Sequence, residues 1–187
     1  MARFSRDGDT VTLYLPHHDI DLLTSLSSQL IELLSEGHTE QVVDDDDPLA
    51  RLAAELAEAP AEEPTDPALR RLFPNPYAHD PQAAADFRRH AEGDHRRRKI
   101  ADAYTVQASL AQRPVRIPPA EVGAWLKTLN ALRLVLAARL GLEDDESVEE
   151  LRTLPTDDPR VMMGVVMDWL AYLQANIIDV VEPGLDG

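Results

Sequence analysis

The residues best suited to recognition chemistry in this 187-residue chain lie between Leu72 and Lys99. An aromatic-proline turn, Leu72-Phe73-Pro74-Asn75-Pro76-Tyr77, precedes Asp86-Phe87-Arg88-Arg89 and the cluster Arg96-Arg97-Arg98-Lys99. Six of the eighteen Lys and Arg fall between Arg88 and Lys99, where the only acids are Glu92 and Asp94. That leaves +4 in the segment and -20 on the rest of a chain whose net charge is -16. Three readings are open. The cluster is a solvated helix face, with Glu92-Arg96 and Asp94-Arg98 as stabilising i,i+4 pairs. Or its guanidinium groups turn inward, to an acid such as Asp168 or to carbonyls around the Phe73-Pro74 turn. Or Phe73, Tyr77, Phe87, Arg88, Arg89, Arg96, Arg97 and Arg98 form a partner-binding surface, since Arg and aromatics are enriched where binding energy concentrates.

Other chemistries find less support. His17-His18-Asp19 invites a metal, but neighbouring helical residues point about 100° apart. His90 and His95 are five apart rather than the three or four that share a helical face. Asp44 to Asp47 lacks the alternating ligands and central glycine of a calcium loop. There is no GxSxG, HExxH, P-loop or GxGxxG, so no catalytic residue, metal or cofactor is assigned. The chain has no cysteine, which excludes thiolate catalysis, disulfides and thiol redox sensing. The acidic balance disfavours unaided binding to nucleic acid or to anionic membranes. No signal segment or membrane-span run is apparent, and a cytoplasmic location is expected.

The elements that must position these residues read as one mainly α domain over 1–187, a bundle-like arrangement of about five helices with a small N-terminal β-hairpin. Hydrophobic residues make up 44% of the chain and aromatics only 5%, which points to a core of Leu, Val, Ile and Ala. The hairpin spans 1–15, turning at Asp7-Gly8-Asp9, with Val11, Leu13 and Leu15 on one face. Val115-Arg116-Ile117 is the candidate third strand. Ile20, Leu23, Leu26, Leu30, Leu33 and Leu34 form one helical stripe, ended by Gly37. A short helix is expected to begin at Asp47-Pro48 and carry Leu49, Leu52, Ala53 and Leu56. Residues 58–67, rich in Pro, Ala and Glu, read as a mobile loop. The main helices are expected over 81–112, 118–141 and 159–181, with Glu143 to Glu150 as an acidic connector. Trp125 and Trp169 sit in the apolar stripes of the last two, as core residues or as part of a homodimer interface.

Several of these residues recur as an ordered set: Leu72-Phe73-Pro74…Tyr77, Asp86-Phe87-Arg88-Arg89, Arg98-Lys99, Trp125-Leu126…Leu129-Asn130…Leu132-Arg133-Leu134…Arg139-Leu140-Gly141 and Asp168-Trp169-Leu170…Leu173-Gln174. With this set the chain resembles an actinobacterial family of unknown function whose members are described as AosR-like oxidation-sensing regulators. The resemblance implies a cytoplasmic regulator of stress-response transcription, coupled to sulfur metabolism and acting by contact with the transcription machinery, such as a sigma factor. Oxidation sensing in that family is attributed to an N-terminal Cys-x-x-x-Cys pair. This chain lacks both cysteines, so the sensing role does not carry over and the partner contact does. An acidic adaptor that binds a basic protein outside transcription is the alternative.

Overall fold

A computed structural model describes residues 2–36, 64–77 and 79–181. The expected short helix after Asp47 and the greater part of the 58–67 loop lie outside the described residues. Strands β1 (Arg3–Asp7) and β2 (Thr10–Tyr14) pair antiparallel around Gly8, whose φ of 61° is the left-handed conformation glycine adopts without strain. Strand β3 (Val115–Ile117) adds antiparallel to β2, setting Val11 opposite Ile117 and Leu13 opposite Val115. Those four side chains share one pleat face and are fully buried, so the third strand completes a one-sided sheet closed by helices.

Seven α-helices are present among the described residues. Helix α1 (His17–Ser35) buries Ile20, Leu23, Leu30, Leu33 and Leu34 of the expected stripe and Ile31 besides, while Leu26 is partly buried against the core. Helix α2 (Pro67–Leu72) begins at the proline that was expected to close a loop. Asp66 turns the chain into it by accepting from the Ala68 amide at 2.7 Å. Next come α3 (Pro81–Phe87), capped by Asp80 through the Gln82 and Ala83 amides, and α4 (Gly93–Leu110). Between them Arg88–Glu92 forms a π-helical turn, so the helix expected over 81–112 is continuous but widened in the middle.

Helix α5 (Pro119–Leu140) is the centre of the fold and packs against α1, α2, α4, α7 (Pro159–Val181) and β3. Trp125 is fully buried there, and its indole Nε1 donates to Ser109 Oγ at 3.2 Å. Arg133 of α5 donates to Gln174 Oε1 at 2.9 Å and so fastens α7 alongside. The acidic connector proves to be helical: α6 (Asp145–Thr153) is started by a reciprocal cap in which Asp144 accepts from the Ser147 amide and Ser147 Oγ from the Asp144 amide. A side chain at Gly164 would come within 3.1 Å of Leu151 Cδ2, so the glycine lets α6 approach α7.

Helix α7 buries one side of its apolar run and leaves the other exposed. Leu170, Leu173 and Ile177 are buried and Trp169 packs partly against the core, but Val165 is 56% exposed and Met162 65%. At 23 residues it is also, among the described residues, the one helix long and apolar enough by length and composition to cross a bilayer, which the sequence was not expected to contain. Its charges, Arg160, Asp168 and Asp179, are spread too thinly to interrupt the apolar run.

Candidate functional site

The Leu72 to Lys99 region divides its arginines between inside and outside. Arg96 is 4% exposed. Its Nη2 donates to Glu92 Oε1 at 2.9 Å and its Nη1 to the Leu34 carbonyl, also at 2.9 Å. Its guanidinium carbon lies 4.8 Å from the centroid of Phe73. One side chain therefore ties the π turn, the end of α1 and the turn after α2. The geometry is favourable, because the last carbonyls of a helix carry partial negative charge and a ring face attracts a cation.

Of the three readings, the inward one describes Arg96, but with partners other than those named for it. The acid is Glu92 on the preceding turn and the carbonyl belongs to α1, whereas Asp168 is exposed on α7. The expected Glu92-Arg96 pair is present; Asp94 pairs instead with Arg97, at i,i+3 rather than i,i+4. A helical signal for Arg96 lay in the sequence. It shares a face with Ala103, Val106 and Leu110, all buried, and Arg97 and Arg98 do not.

Arg97 and Arg98 are exposed on α4. Lys99 is half-buried and 6.0 Å from the Phe73 ring, and loss of hydration holds its pKa below the ordinary lysine value despite nearby Asp102. The turn before α3 is shaped by Asn75, whose Oδ1 accepts from the Tyr77 amide at 3.0 Å. Tyr77, 46% exposed, meets Phe87 edge to face with centroids 6.0 Å apart, and Phe87 meets His95 in the same manner at 6.3 Å.

A cavity of about 170 Å³ opens between this turn and the π segment. Leu72, Phe73, the Pro74-Asn75-Pro76 turn and Phe87 line it with Arg88, Glu92 and His95. The buried Nε of Arg88 has no hydrogen-bond partner among the described residues. Thus Phe73, Tyr77, Phe87, Arg88 and Arg96 are brought together, Arg97 and Arg98 are exposed and do not line the cavity, and the Arg89 side chain lies outside the described residues. His95 and Glu92 are the members of the site that the sequence did not single out as binding residues. Among the described residues no group of three or more His, Cys, Asp or Glu is placed to hold a metal ion.

Other residues of the ordered set serve the fold. Arg139 donates to both carboxylate oxygens of Asp66, at 3.1 and 2.7 Å, bracing the start of α2 against α5. Gln174 accepts from Arg133 as described. Burial alone would raise the Asp66 pKa, but Arg139 and the Ala68 amide bring it below the ordinary value.

Fold and site together define a mainly α domain closed by a three-stranded sheet and locked by a buried arginine. The chain belongs to the family described as a domain of unknown function, DUF2017, whose model matches residues 1–181. No curated protein and no solved structure matches it.

Proposed function

We propose that this chain is a non-enzymatic regulator that acts by protein contact, through exposed side chains of the Leu72 to Lys99 region, Tyr77, Arg97 and Arg98. The observation that supports this reading is the split of the arginine cluster. Arg96 is consumed by the fold, and two neighbouring arginines remain on the surface of a chain that is otherwise strongly acidic. Exposed Arg and Tyr are the residue types that anchor interfaces. The likeness to AosR-like actinobacterial regulators supports a partner in the transcription machinery, of the sigma factor or polymerase class. It also supports a role in stress-response control within the cytoplasm.

A redox input through thiols is excluded by the absence of cysteine. In the N-terminal strand, Phe4 packs edge to face on Tyr172 instead, with centroids 6.0 Å apart. The test is a pull-down from the native cell with the full chain and with an Arg97→Glu/Arg98→Glu variant. Loss of a sigma factor or polymerase subunit from the variant, with circular dichroism unchanged, supports the reading. Recovery only of basic proteins outside transcription supports the adaptor alternative and overturns the transcriptional one.

A further inference from the structure

We propose that the cavity beside the π turn binds a small free carboxylic acid with a compact apolar body, such as a single ring or a branched chain. This goes beyond the partner-contact reading and does not depend on it. The walls are apolar: Leu72, Phe73, Phe87 and the two prolines of the turn. A volume of about 170 Å³ is close to that of engineered cavities that take up benzene, roughly 150 Å³.

The polar groups set the charge of the occupant. Glu92 is already committed to Arg96, and both are buried. The Arg88 side chain is not committed: among the described residues it has no ion-pair or hydrogen-bond partner, and its Nε is buried. Guanidinium groups favour carboxylates because two parallel N–H bonds match two oxygens. Among the described residues that line the cavity, the uncommitted charged group is thus the Arg88 cation, with the His95 ring beside it as a further polar group, which favours an anion over a metal ion.

The backbone adds an independent sign. Arg88–Glu92 is π-helical, a wide turn that is rare and concentrated at functional sites. It lies along the cavity wall and contributes both Arg88 and Glu92 to it.

The test uses the full chain and phenylacetate, followed by amide chemical shifts in two-dimensional NMR. Acetate supplies the charge without the body, and 2-phenylethanol the body without the charge. Phenylacetate should bind saturably with a Kd near the millimolar range and move the resonances of Leu72, Phe73 and Phe87 to His95. Acetate and 2-phenylethanol should each bind about tenfold more weakly or worse. The Arg88→Gln variant should lose about tenfold for phenylacetate and nothing for 2-phenylethanol. Equal binding of phenylacetate and 2-phenylethanol, or shifts that never saturate or fall elsewhere, overturns the proposal. That comparison is made on the unaltered chain and stands even if the variant folds poorly.

Discussion

Arg96 and Leu34 are 62 positions apart in sequence and joined at 2.9 Å, guanidinium to carbonyl, in the interior of the fold. The bond places a full positive charge on the closing turn of α1. Glu92 balances that charge from one side and Phe73 from another. Buried ion pairs of this kind are worth little against apolar residues of the same shape, but removing one partner leaves the other charge stranded.

Arg96→Met should therefore destabilise the domain by about 3–5 kcal/mol in urea unfolding. Glu92→Met should cost a similar amount. The double variant should recover much of the loss, giving a large coupling energy in the double-mutant cycle. A small effect of Arg96→Met would show that the guanidinium is dispensable to the fold.

Arg97→Ala presents the contrasting case. Its carboxylate partner Asp94 is half exposed, and exposed pairs contribute about 0–1 kcal/mol. Loss of this pair should change stability by about that much, measured in the same assay, and its share should shrink further in high salt.

Ser109 stands between two elements: its Oγ receives the Trp125 indole N–H and lies 2.9 Å from Glu121 Oε2. Ser109→Ala leaves the buried indole N–H without that acceptor. A loss of about 1–3 kcal/mol is expected, with an altered Trp emission maximum in the folded state. Trp125→Phe in the Ser109→Ala background should then lose less than Trp125→Phe alone.

Acid sensitivity follows from three carboxylates. Hydrogen bonds from the Arg160 side chain and amide hold Asp158 at about 2, against an ordinary value of 3.8. Asp144 is lowered by its bonds to Ser147, and Asp66 by Arg139 and the Ala68 amide against the opposing effect of burial. In each the folded pKa lies below the unfolded one. Their contribution is complete above the unfolded value and disappears as pH falls from about 4 toward 2. Melting temperature should drop across that window, and Asp158→Asn should flatten part of the slope.

Met162, 65% exposed, is the methionine among the described residues that mild peroxide should oxidise first, as read by peptide mass spectrometry. Partly buried Met163 and Met167 should follow more slowly. Because Met162 touches little, its sulfoxide should leave the melting temperature unchanged. A large drop would mean that the exposed face of α7 is packed in solution.

Much of the fold was legible because it rests on periodicity. The stripe of α1, the apolar run around Trp125 and the alternation Val11, Leu13, Val115, Ile117 each announce a buried face. Helix α6 was hidden because its signal is a two-residue cap, Asp144 with Ser147, inside a run of acids that also suits a loop. The π turn leaves no mark in residue type, since it differs from an α turn only in which carbonyl each amide reaches. For the candidate site, the aromatic and basic residues of the region could be named. The direction of each was harder to read, because Arg96 and Arg98 differ only in which helical face they occupy. The signal for Arg96 is weak: it rests on the spacing from Arg96 to Ala103, Val106 and Leu110 in a helix with few apolar residues in its first half.

The three-stranded sheet has a consequence for how the chain reaches this state. Strand β2 waits for Val115–Ile117, roughly a hundred residues further on, before its inner edge is paired. During synthesis the hairpin must leave the ribosome with that edge open, and a lone two-stranded ribbon is only marginally stable in water. Folding of this domain is therefore expected to finish late and in one cooperative step, when α5 and α7 arrive together to cover a sheet that its own beginning could not close.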